Sequence, residues 1–225
     1  MGLRVAIDLD GTVADLSRAM HGVATRYFGA PRTAPSPPAA APPTPSDRPA
    51  LQDLALRPSE IDALWTEVLR TKNFWTTLDE TESGIVARIA ALAADRRWDV
   101  LFITTRPTAT GETTQVQSQK WLHAHGFPHP SVYVVKGSRG KVASALDLGA
   151  VVDDRPENCL DVATESAAKA VLVWPGALET LGPGVTKHGV VVTRSIGAAL
   201  DELVEMDRAR RGGVVQSLKR LLRRQ

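Results

Sequence analysis

The sequence predicts an α/β fold, a parallel sheet covered by helices on both faces, from three observations. Short apolar runs recur between helix-like segments, and the first of them ends in the acidic turn Asp8-Leu9-Asp10-Gly11-Thr12. The chain has 225 residues, 43% of them hydrophobic, enough for one sizeable core with a small accessory lobe.

Strands of such a sheet are buried on both sides and read as continuous apolar runs rather than as alternating ones. Val5 to Asp8 is the first, followed by a helix-like segment from Leu16 to Phe28. Residues Pro31 to Pro49 interrupt the pattern with so many prolines that backbone donors are lost and φ is restricted, which predicts an extended surface loop. From Pro58 to Trp75 a second helix is predicted, with Ile61, Leu64, Trp65, Val68 and Leu69 on one apolar face. Helices over Gly84 to Ala94, Gln115 to His125, Gly140 to Leu146 and Glu157 to Glu165 then alternate with strands over Val100 to Thr104, Val132 to Val135 and Ala150 to Asp153. Strands over Ala170 to Trp174 and Val190 to Val192 complete the sheet. The expected organisation is a Rossmann-like core of residues 1–15 and 78–200, a helical cap inserted after the first strand over 16–77, and a basic tail over 201–225.

The net charge of +2 points neither toward nor away from nucleic acid, although Arg208, Arg210, Arg211, Lys219, Arg220, Arg223 and Arg224 crowd the tail. Val214 to Arg224 reads as a short basic amphipathic helix docked by its leucines, with contact to nucleic acid or an anionic membrane as the alternative. No obligatory nucleic-acid partner is expected. The single cysteine, Cys159, excludes an internal disulfide. With no secretory signal and no bilayer-length apolar stretch, a soluble cytoplasmic protein is expected.

Asp8 and Asp10 stand at the carboxyl end of the first strand, where open α/β sheets bind ligands. Two like charges so close call for a cation or a shared proton, and Mg²⁺ suits oxygen donors beside a phosphate. An Asp-Gly turn alone would explain the dipeptide, so the rest of the chain decides. Thr104-Thr105-Arg106-Pro107 ends the second strand with hydroxyls and free loop amides able to hold phosphate oxygens. Asp153 and Asp154 end another strand, and would face the first pair if the two strands are neighbours. Lys136 and Lys141, just upstream, each offer a neutralising cation.

Asp-Leu-Asp-Gly-Thr, Thr104, Lys141 and Asp153-Asp154, in this order, resemble the four motifs of the haloacid dehalogenase superfamily, over roughly residues 4–175. The resemblance implies a Mg²⁺-dependent phosphomonoester hydrolase. Asp8 would be the nucleophile that forms an aspartyl-phosphate, and Asp10 the general acid and base. Thr104 and Lys141 would bind the transferring group, with Thr105 and Lys136 as alternative alignments. Asp8, the Asp10 carbonyl and Asp153 would hold the metal, and Asp154 would orient a metal-bound water. A narrower set, Asp-Gly-Thr-Val-Ala-Asp, Asn73-Phe74-Trp75, Gln119-Lys120-Trp121-Leu122 and Asp-Asp-Arg-Pro, is similar to the 5′(3′)-deoxyribonucleotidase group. It implies a nucleoside monophosphate as substrate, with Phe74 and Trp75 stacking on the base beside Thr105 and Arg106; packing as a core anchor between cap and core is the other reading of the two aromatics. The Pro-rich insert, Thr-Thr-Arg-Pro in place of Thr-Ser-Pro, and the tail beyond Gly176 depart from that group and bear on the substrate.

One enzyme alternative and one from another class frame this reading: a phosphatase for a different small ester, and an inactive scaffold binding partners through the Pro-rich loop or tail. His123, His125 and His129 do not share one helical face and predict no zinc site, and no phosphate-binding Gly-x-x-x-x-Gly-Lys loop occurs.

Overall fold

A computed structural model describes residues 2–29 and 56–222, with side chains through residue 212. The Pro-rich stretch and the side chains of residues 213–225 lie outside the described residues. All the paired strands run parallel in one six-stranded sheet of order β3-β2-β1-β4-β5-β6. The strands are β1 Arg4–Asp8, β2 Asp99–Thr104, β3 Ser131–Val134, β4 Ala150–Asp153, β5 Lys169–Val173 and β6 Val191–Thr193. Each lies within one residue of its expected limits at either end.

Alternate residues of β1 serve opposite faces, as a pleated strand requires. Val5 and Ile7 join a core with Val86 and Ile89 of α3 (Ile85–Arg96), Trp121 and Leu122 of α4 (Thr114–Ala124), and Leu200 and Leu203 of α8 (Ile196–Leu222). Ala6 packs on the other side with Ala143 of α5 (Arg139–Ala145), Cys159 and Val162 of α6 (Pro156–Glu165), and Val185 of α7 (Pro183–Lys187). The last helix starts at Ile196, so the stretch beyond residue 200 continues an element whose first turns are core. Among the described residues, no helix is long and apolar enough to cross a membrane.

Between β1 and α3 lies the inserted segment. Asp15 caps α1 (Leu16–Phe28) by accepting the Arg18 amide at 2.9 Å, and α1 packs against α2 (Pro58–Arg70). The helix expected to reach Trp75 ends at Arg70. Asn73 turns the chain with a left-handed φ of 55°, which asparagine tolerates better than most residues. Its amide donates to Thr110 O, and its Oδ1 accepts the Glu112 amide, so the turn is stitched to the loop after β2. One 3₁₀ turn, Phe74–Thr76, follows.

Candidate active site

Strand order reverses between β1 and β4, because the chain leaves β3 and returns on the far side of β1. Ligands of open α/β sheets bind in the crevice at such a point. Ile7 pairs with Val152, which sets the next residues, Asp8 and Asp153, side by side at the carboxyl ends of their strands. A cavity of about 700 Å³ opens above them. Asp8, Asp10, Thr104, Thr105, Arg106 and Asp154 line it.

Gly11 makes the turn after β1 possible. Its φ is +84°, and a Cβ there would lie 2.0 Å from Asp154 Oδ2, so a side chain would be both strained and in collision. The two acidic segments approach each other only over a glycine.

Asp10 is held from the β2 end. Thr104 Oγ1 donates to Asp10 Oδ2 at 3.3 Å and accepts the Arg106 amide at 3.1 Å. Arg106 Nε lies 2.9 Å from both Asp10 oxygens, and Nη2 lies 2.7 Å from Oδ1. Thr104 is buried and Thr105 exposed on the cavity wall, so the two hydroxyls have different surroundings.

The cation beside Asp8 is Arg139, which sequence reasoning did not single out. Its Nη2 donates to Asp8 Oδ1 at 2.9 Å, and its Nε lies 3.6 Å from Asp153 Oδ2. Lys141, expected there, is exposed on α5 and is not among the cavity-lining residues; its amide donates to the Ser138 cap. Arg139 stands two residues earlier on a helix, which turns it to a different side by about 200°. A second basic residue in the Lys136-Gly-Ser-Arg139 loop was the available signal. Lys136, the reserve alignment, does line the cavity, as do Arg155 and Asn158.

Trp75 is fully buried, with its Nε1 on Pro107 O at 3.1 Å, its amide on Gln117 Oε1 at 3.1 Å, and the Arg106 guanidinium 5.0 Å from its ring centroid. Phe74 packs edge-on against it within the core, away from the cavity lining. Both rings pack beside α4, but Trp75, unlike Phe74, is also on the cavity lining. Beside Trp75, the apolar wall of the cavity includes Leu16 of α1 and Trp65 and Leu69 of α2.

No protein-family model matches the chain, and no curated protein is similar to it. Solved structures are similar in fold. A predicted phosphatase from Clostridium acetobutylicum matches with a TM-score of 0.53 and 12% identity, over 91% of this chain and 99% of that one. A haloacid dehalogenase family hydrolase from Deinococcus radiodurans, determined with phosphate and sodium bound, gives 0.51 and 15% over 90% and 95%. A protein from Thermotoga maritima described as a β-phosphoglucomutase gives 0.50 and 17% over 90% and 99%. The chain has the fold of haloacid dehalogenase-type hydrolases.

In that fold the acids of the crevice form a buried cluster of mutually repelling carboxylates. Burial, then the charge of Asp153, pushes the Asp8 carboxyl well above the ordinary range, against the pull of Arg139. Burial, then Asp153, does the same to Asp154. Burial also raises Asp153, opposed by Arg139 and by bonds from the Arg155 amide and Asn158. Asp154 Oδ1 is buried without a hydrogen-bond partner. Among the described residues no three acidic, histidine or cysteine side chains form a ready-made metal cage. Mg²⁺ needs none: it binds through one or two carboxylates and keeps its waters and substrate oxygens. An orphaned buried carboxylate oxygen amid like charges fits that ion.

Proposed function

We propose that the chain is a phosphomonoester hydrolase that works through an aspartyl-phosphate on Asp8. The observation that carries the reading is the meeting of Asp8, Asp10, Asp154 and Arg139 in one cavity at the strand-order reversal, on the fold of phosphatase-type hydrolases. The Deinococcus neighbour, of like fold, holds phosphate.

In the first step an Asp8 oxygen attacks phosphorus, the bond from phosphorus to the ester oxygen breaks, and Asp10 delivers a proton to the departing oxygen. In the second, Asp10 takes a proton from water as its oxygen attacks phosphorus, and the bond to Asp8 breaks, which regenerates both carboxyls. Arg139 orients Asp8 by its 2.9 Å bond, while Lys136 and Thr105, both on the cavity wall, would take phosphate oxygens. Asp8, Asp153, Asp154 and the Asp10 carbonyl would hold Mg²⁺, which supplies charge neutralisation at the transferring group.

The cavity is far larger than a phosphate group, and its wall of Leu16, Trp65 and Leu69 favours an ester with a sizeable apolar or planar part. A nucleoside monophosphate is the finer candidate, with Trp65, less buried than the cavity-lining Trp75, as the aromatic residue beside it.

The test is phosphate release from a panel of sugar, nucleoside and aryl phosphates, with and without Mg²⁺, run beside Asp8→Asn. Wild type is expected to turn over at least one ester, and the variant to lose at least about a thousandfold, as removal of a covalent nucleophile does. Silence across the panel, or equal rates for the variant, would sink the reading.

A further inference from the structure

We infer that Arg106 positions Asp10 instead of binding substrate, and that Trp75 and Ser118 hold it in that task. The inference rests on the hydrolase reading above. A guanidinium offers five N–H donors in a rigid plane and two faces for stacking. Here Nε reaches both Asp10 oxygens at 2.9 Å, Nη2 reaches Oδ1 at 2.7 Å, and Nη1 reaches Ser118 Oγ at 2.9 Å. One face lies over the Trp75 ring, and the Arg106 side chain is 0% exposed. All three guanidinium nitrogens donate to protein groups, and one face is stacked on protein.

Ser118 comes from α4 and Trp75 from the exit of the inserted segment, so three elements meet on one guanidinium. Trp75 is pinned in turn by Pro107 O and Gln117. A carboxylate on a short side chain is otherwise free to rotate; the fork, with Thr104 behind it, limits Asp10 to one orientation over the cavity. Such alignment matters because small displacements of a group that must reach the reacting oxygen cost rate steeply. Lysine cannot substitute, having neither fork nor plane.

The experiment is a double-mutant cycle in the full chain with p-nitrophenyl phosphate, reading kcat, KM and the inhibition constant of inorganic phosphate. Arg106→Lys is expected to lower kcat about tenfold or more with KM and phosphate inhibition within about twofold, and to cause no further loss in an Asp10→Asn background. Ser118→Ala, a milder change outside the carboxylate contact, should lower kcat a few-fold in the same pattern, and it serves if Arg106→Lys does not fold. Weakened phosphate inhibition with kcat retained would overturn the proposal in favour of substrate binding. So would losses that multiply across the cycle. Either failure in an active wild type leaves the hydrolase reading standing; an inactive wild type overturns both.

Discussion

Arg139, Lys136 and Lys141 lie within six residues of one another, and only placement separates their roles. Arg139 is buried against Asp8 and Asp153, Lys136 edges the cavity, and Lys141 faces solvent. Lys136→Ala is therefore expected to weaken inhibition by inorganic phosphate about tenfold, the scale of one charge-assisted hydrogen bond. Lys141→Ala should leave it unchanged. A reversed pattern in a phosphate-inhibition assay would show that Lys141 serves the site after all. The lysine-to-aspartate spacing favours Lys141 in the sequence; the α5 cap at Ser138 is what turns Arg139 inward, and no spacing rule reveals that.

The inserted segment shows how one apolar pattern can serve two ends. Ile61, Leu64, Trp65, Val68 and Leu69 were legible as one face of a helix, and Leu64 and Val68 are indeed fully buried. Trp65 and Leu69 sit at the margin of that face, partly buried and on the cavity wall. Trp75 also lines the cavity but is fully buried. Trp75→Ala is expected to cost about 3–5 kcal/mol in urea unfolding, as large core truncations do. Trp65→Ala should cost much less stability and instead reduce preference for aryl or nucleoside phosphates over small sugar phosphates. Stacking on an aromatic ring contributes about 1–3 kcal/mol, so a shift of tenfold in relative kcat/KM is the expected scale. Unchanged selectivity would remove Trp65 from substrate choice.

Across the whole molecule, the crevice carries a cost that depends on pH. Asp8, Asp153 and Asp154 all bind protons more tightly in the folded protein than in the unfolded chain. Their contribution is fully present below the ordinary carboxylate value of about 4, and it is lost as pH rises through their elevated values. Metal-free protein should thus be less stable at neutral pH than these carboxyls would allow if protonated. Asp154→Asn, neutral and of equal size, is expected to raise Tm at pH 7 and to lose that gain near pH 4. In a chain of this length a gain of about 1 kcal/mol corresponds to about 2–4 °C. Mg²⁺ should raise the wild-type Tm at pH 7 more than that of the variant. A gain independent of pH in differential scanning calorimetry would refute the account.

The sequence by itself determined the sheet, because strands buried on both faces must be continuous apolar runs, and it placed Asp8, Asp10, Thr104 and Asp153-Asp154 at strand ends, since each run stops at a polar residue. It also marked Trp65 as part of a helical face. Tertiary structure alone decided which cation meets Asp8, that Arg106 is bound to Asp10, and that Phe74 lies away from the cavity while Trp75 lines it. The physical reason is that a strand end is a local, one-dimensional feature. Which way a long side chain points from a loop or a short helix depends on partners brought together from distant parts of the chain.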